Sequence, residues 1–288
     1  MWLSIAVIGT IGCSREPVRA STEQPTTASS TGSETAVQVV PTTVHPAEPR
    51  PAVQPLLVEL FTSQGCHSCP PADRLLSKLG EDGVSDLKRP IIPLSFHVDY
   101  WNYLGWSDPF SSPRWTERQH RYAARVAAGR VYTPQLVIHG RTHAVGSRVR
   151  QVASALRAVA EISSEPAQLE VTAERSGRVL QVAASASRQA DQSAAGAWIA
   201  VFENGVQTAV PRGENAGRTL RNDYIVRALE PVFELARGVE MGSGAVEIRL
   251  DKSWQADQVG VVAFLQEPET LHITGVSALA PMRVDAAR

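Results

Sequence analysis

Two cysteines separated by two residues, set between an apolar run and a helical pattern, restrict this chain more than anything else in it. Leu56-Leu57-Val58-Glu59-Leu60-Phe61 is short and apolar, as a buried strand is. Thr62 to Gly65 supply a turn, and Cys66-His67-Ser68-Cys69-Pro70-Pro71 follows. Leu75, Leu76 and Leu79 then recur at helical spacing, with Gly80 placed to end the helix. A helix N-terminus carries unpaired N–H groups and about half a positive charge, which favours a thiolate over a thiol. In such a pair the first cysteine attacks and the second resolves the mixed disulfide. Cys66 is therefore expected to be primed and open to an outside partner, with Cys69 resolving. Half a zinc site and an inert buried bridge are the other uses of the motif. The two prolines make the helix begin near Ser68 or Cys69, so Cys66 lies just ahead of it. His67 either stabilises the thiolate when protonated or is a solvent-facing spacer.

Ile91 to Val98 reads as a second strand. Ser112 caps a helix with Pro113 at its first position, Trp115, Gln119, Tyr122 and Val126 on one face, and Gly129 as a stop. Val131 to Ile138 is a strand with Pro134 near its start, and proline within a strand pattern marks an edge or a special turn. Arg141 to Val145 pairs with it through Gly140, and Ser147 opens a helix striped by Val149, Val152, Leu156 and Val159.

This order, carried by Cys66-His67-Ser68-Cys69 and Thr133-Pro134, resembles the thioredoxin fold over about Leu56 to Ile162. The resemblance implies that the Thr133–Pro134 bond is cis, that Pro134 faces the cysteines, and that the Thr133 backbone pairs with substrate. Phe61-Thr62-Ser63-Gln64-Gly65-Cys66, His97-Val98-Asp99-Tyr100-Trp101 and Val131-Tyr132-Thr133-Pro134-Gln135 look more specifically like a bacterial secreted family catalogued as domain of unknown function 1223. That resemblance implies a thioredoxin-like fold and export, and it supplies no reaction.

Of 17 aromatic residues, seven fall between Phe96 and Trp115. They form either a loop folded on its own rings or an aromatic wall that binds an apolar peptide beside the cysteines. His97 and Asp99 close the second strand, where strand ends gather around the first helix's N-terminus. A carboxylate there would accept the proton of Cys69, and His97 would act as a base, a ligand or a structural side chain. A copper carrier is the metal alternative, with Cys66, Cys69 and His97 as ligands and His139 or His143 as substitutes. The His139-x-x-x-His143 pair reads otherwise as sheet-surface decoration.

Pro166 marks a boundary, after which the apolar period changes to two: Leu169, Val171, Ala173, then Leu180, Val182, Ala184. Asn204-Gly205 between Trp198–Glu203 and Val206–Val210 signals a two-residue hairpin turn. Val246 to Leu250, Val259 to Leu265 and Leu271 to Val276 complete a β-sandwich pattern, and Pro231 interrupts any single helix over 224–237.

Ahead of all this, Trp2 to Ile11 fits the apolar segment of a secretory signal peptide. Thr10-Ile11-Gly12-Cys13 resembles a lipobox, with Cys13 as the lipidated residue, although Thr10 stands where Leu is usual. Ser14 to Pro55 holds no aromatic residue, Leu or Ile, so it cannot offset the entropy of ordering and reads as a linker.

The expected organisation is an α/β chain: signal segment 1–13, linker 14–55, thioredoxin-like domain 56–163 and a smaller β-sandwich-like domain 166–285. A net charge of −1, from 28 basic and 29 acidic residues, removes the basic face that bulk nucleic-acid binding needs. The expected function is an exported, lipid-anchored, periplasm-facing thiol–disulfide oxidoreductase acting on a protein or a small thiol or disulfide. Its only redox group would be the Cys66–Cys69 disulfide, with Pro134 shaping the groove and His67, His97, Asp99 and Thr133 in support. The alternatives are the copper carrier and a non-catalytic envelope protein with a structural bridge.

Overall fold

The computed structural model describes residues 53–162 and 166–281. The signal segment, Cys13 and the linker to residue 52 lie outside the described residues. At the linker's end, Gln54 hydrogen-bonds the Ala167 and Thr274 carbonyls and Pro55 is buried, so ordered packing starts before Leu56.

Strand β1 (Leu56–Thr62) is buried along its whole length, which explains its unbroken apolar run. Helix α1 (Pro70–Asp82) carries the chain back to β2 (Ile91–His97), which pairs parallel to β1. Helix α2 (Pro113–Val126) leads to β3 (Gln135–Ile138), antiparallel to β1, then β4 (Thr142–Val145) and α3 (Val149–Ala160). Leu56, Val58 and Leu60 pack against α1 and α3, whereas Leu57 and Phe61 face the core containing Trp115 and Tyr122 of α2. Ser112 caps α2 through Arg114 N–H. Gly80 does not end α1: the helix runs to Asp82, and Gly83, at φ 66°, follows it. Gly80 lies instead against the phenol of Tyr224, which a Cβ at that position would displace. Val149 is 60% exposed and drops out of the expected apolar stripe of α3.

After residue 166 come β5 (Gln168–Ser176), β6 (Val179–Ser187), β7 (Ala195–Glu203), β8 (Val206–Val210), β9 (Arg218–Asn222), β10 (Ile225–Leu235), β11 (Met241–Arg249), β12 (Val259–Gln266) and β13 (Ile273–Leu279). They do not form a sandwich separate from the first half. Four of them extend the central sheet, whose order is β13-β12-β7-β10-β2-β1-β3-β4. The join is a parallel bridge from β10 to β2 at Ile225 and Ser95, and it depends on long-range pairing that no local pattern encodes. The sheet β11-β6-β5 packs over the extension through Leu169, Val171, Leu180 and Val182 against Ile199, Val201, Val261 and Leu265, so sandwich-like layering exists with one layer shared. Residues 225–235, ambiguous in sequence, are strand, with a register shift just after Pro231.

Asn204-Gly205 is not a hairpin turn between β7 and β8. Strand β7 pairs with β10 and β12, and β8 pairs only with β9. Asn204 Oδ1 accepts the Tyr224 N–H at 2.7 Å and Asp223 Oδ1 accepts the Gly205 N–H at 2.7 Å, which turns the chain out of the sheet. Among the described residues no helix is long and apolar enough to cross a membrane.

Candidate functional site

Cys66 and Cys69 are joined as a disulfide on the turn from β1 into α1. Cys69 is the N-cap and Pro70 opens the helix, leaving Cys66 three residues outside it. The turn is shaped from within: the Cys66 N–H donates to the Ser63 carbonyl at 3.1 Å and the Cys69 N–H to the Cys66 carbonyl at 3.2 Å. Cys66 is not open as expected, because it is 1% exposed. His67 and Ser68 are the exposed pair of the motif, so the His67 side chain is solvent-facing and its backbone N–H donates to Glu214 at 2.9 Å.

Three buried titratable groups lie behind this turn. His97, at the end of β2, pairs through Nδ1 with Asp108 Oδ2 at 2.7 Å. That same oxygen accepts the Gln64 N–H at 2.7 Å, linking the pair to the chain two residues before Cys66. Burial opposes the charge on His97, but the Asp108 carboxylate, its hydrogen bond and Asp73 outweigh burial and hold the imidazole above its usual value. Asp108 is buried too, yet His97 and the N–H groups of Gln64 and Phe110 keep its carboxyl below the usual range. His97 Nε2 is buried without a partner.

The third group is Asp73, one helical turn past Cys69. Its N–H donates to the Cys69 carbonyl at 3.1 Å, and residues four apart share a helix face. Its Oδ1 accepts from Thr62 Oγ1 at 2.8 Å. Burial, only partly offset by His97 and the Thr62 hydroxyl, pushes its carboxyl up to about 6.

Asp99, the carboxylate expected beside the cysteines, is elsewhere: it bonds the Thr116 hydroxyl at 2.5 Å, at the start of α2. The Thr133–Pro134 bond is cis. Thr133 Oγ1 accepts from Trp101 Nε1 at 2.8 Å, and Trp101 Cβ lies 3.1 Å from where a Cβ on Gly65 would stand. Trp101 thereby ties the proline turn to the cysteine turn. Trp106 donates to Gln64 Oε1 at 3.2 Å, Phe110 lies edge-on to His97, and Phe96 and Trp115 are core. The aromatic segment braces the turn, while Tyr103 alone of its rings is 80% exposed.

Of the two histidines, His139 in the β3–β4 turn is not surface decoration, whereas His143 lies on β4 and is half-buried. His139 is buried, accepts the Leu57 N–H, and is pushed down to about 3 by burial and by Arg89 and Arg141; His143 pairs with the Tyr132 hydroxyl at 2.6 Å. Among the described residues no three His, Cys, Asp or Glu side chains are grouped to hold a metal ion, so Cys66, Cys69 and His97 are not assembled as a copper site.

These features define a mixed α/β protein built on a large central sheet, with a Cys-x-x-Cys disulfide where a strand meets a helix. Residues 57–266 match the family model described as "Protein of unknown function (DUF1223)", and the chain belongs to that family. A solved structure of protein AGR_C_4864 from Agrobacterium tumefaciens is similar at 28% identity and TM-score 0.61, covering 82% of this chain and 98% of that one. HBP35 of Porphyromonas gingivalis shares the fold at 14% identity and TM-score 0.60, covering 82% and 79%. No curated protein matches the chain.

Proposed function

We propose that this protein is an exported, thioredoxin-like thiol–disulfide oxidoreductase in which Cys66 exchanges with an outside protein or small thiol, and Cys69 resolves. The observation that carries this reading is Asp73: a buried carboxyl on the face of α1 that holds Cys69, with its proton affinity raised towards neutrality. A bridge that only fastens two residues has no use for a proton acceptor, and burying one costs stability.

In the reducing direction, the Cys66 thiolate attacks a substrate disulfide, forming a mixed disulfide and expelling one substrate thiolate. The Cys69 thiol gives its proton to the Asp73 carboxylate, and the Cys69 thiolate then attacks Cys66 Sγ. The Cys66–Cys69 bond forms, the mixed disulfide breaks, and the second substrate thiolate leaves and takes the proton from Asp73. The dithiol has lost two electrons and the substrate disulfide has gained them. The oxidising direction is the reverse. His97 and Asp108 are positioning residues that set the field at Asp73, and Pro134 with Thr133 shapes the docking edge. Lipidation of Cys13 would hold the body at a membrane facing the periplasm.

Replacing Cys66 with Ser is expected to abolish disulfide exchange with a model dithiol and disulfide pair. A variant exchanging at the wild-type rate would remove Cys66 from this role. The 1% exposure of Cys66 favours a second reading, a structural bridge in a non-catalytic envelope protein.

A further inference from the structure

We infer that residues 211–217, the tip of the β8–β9 hairpin, are a gate over Cys66; its function rests on Cys66 being the exchanging sulfur. Strands β7 and β10 pair up to Glu203 and Ile225, so residues 204–224 are an excursion from a connection that a short turn would complete. Within it, β8 and β9 form a two-stranded ladder with each other, and Asn222 at the end of β9 accepts from Gln64 Nε2 at 2.9 Å. The base of the excursion is fixed by the reciprocal Asn204–Tyr224 and Asp223–Gly205 bonds, by the Tyr224 ring against Gly80, and by buried Val210 and Leu220.

The tip is held differently. Between 211 and 217 only Asn215 is buried. Its Nδ2 donates to the carbonyls of Gln64 at 2.8 Å and Cys66 at 3.0 Å, and Arg218 fixes the amide by donating to its Oδ1 at 2.9 Å. Glu214 Oε2 accepts the His67 N–H at 2.9 Å. The tip therefore grips the chain on both sides of Cys66 through polar contacts, with no buried apolar side chain of its own. Water can replace such contacts one for one, which places the tip at the low end of local opening free energies. The Gly217 N–H to Val210 carbonyl bond, 2.8 Å, closes the loop at its root, so the tip can lift while the strands stay. Beside the seam, His67, Pro71, Arg74 and Arg218 line an open groove between the start of α1 and β9.

The test uses the full chain and dithiothreitol as the probe. A dithiothreitol thiolate attacks Cys66 Sγ, the Cys66–Cys69 bond breaks, and its electron pair leaves on the Cys69 sulfur. The second dithiothreitol thiol then closes the probe's own ring and frees Cys66. With Asn215→Ala and Glu214→Ala together, reduction is expected to run about tenfold to a hundredfold faster, with the equilibrium reduction potential unchanged. Equal rates in wild type and variant would overturn the gate. Hydrogen exchange on the wild type guards against a misfolded variant: the His67 amide is expected to exchange at least about a hundredfold faster than the β1 amides. Exchange of His67 only at the rate of global unfolding would also overturn it. Because dithiothreitol reduces structural bridges as well, faster reduction of an otherwise inert pair would retire the oxidoreductase reading and leave the gate standing.

Discussion

Two buried charge clusters flank β1, and they are built on opposite terms. On the α2 side, Glu59 accepts from Arg118 Nε at 2.6 Å and from the Tyr122 hydroxyl, and Arg118 also reaches Gln266 Oε1 at 3.2 Å. The guanidinium lies among the rings of Phe96, Tyr122 and Phe264, and Gln266 donates to Tyr122 at 2.7 Å. Burial works against the Arg118 charge, and Glu59 and Tyr122 overcome it. On the α1 side, Asp73, His97 and Asp108 leave His97 Nε2 unpartnered and Asp73 raised to about 6. A saturated network fixes a core and has no proton to give. An unsaturated one beside a cysteine pair is suited to moving protons.

Removing one partner from the saturated cluster gives the largest expected effect. Arg118→Met leaves Glu59 buried without its cation, with the Tyr122 hydroxyl as its remaining donor, at a cost of about 3–5 kcal/mol read by denaturant unfolding. The exchange rate of the folded fraction should not change. If exchange falls with stability intact, the two clusters are not functionally distinct.

Asp73→Asn is expected to act in the opposite sense. The folded carboxyl ionises near 6 and the unfolded one near 3.8, so its contribution is fully present below about pH 3.8 and is lost as pH rises through 6. Asn cannot ionise and keeps an acceptor for Thr62. The variant should therefore be more stable than wild type by about 3 kcal/mol at pH 8, with the two converging below about pH 4. Resolution should slow at the same time, so that the Cys66 mixed disulfide accumulates. A variant no more stable at pH 8, or one that resolves normally, would count Asp73 as a structural acid.

The sequence made one of these clusters partly legible. The β1 run, the Cys-x-x-Cys turn, the Ser112 cap and the alternation of β5 and β6 are local patterns, and the chain forms them where local physics places them. Asp73 resembles any acid in the first turn of a helix, where the dipole favours it. Its signal was its spacing, since 73, 76 and 80 share a face with Cys69 and that face is buried or closely covered. Asp108 sits in a loop whose partner is set only when β2 and the cysteine turn meet. The joining of β10 to β2 and the excursion after Asn204 are likewise tertiary outcomes. An Asn-Gly pair encodes a turn but not which strand comes next to it.

The equilibrium reduction potential of the Cys66–Cys69 pair, measured against a dithiothreitol buffer at pH 7, tests the central claim most directly. A pair served by a proton acceptor and used for exchange should lie above about −300 mV. A value well below that would make the bridge a permanent fastening and contradict the account.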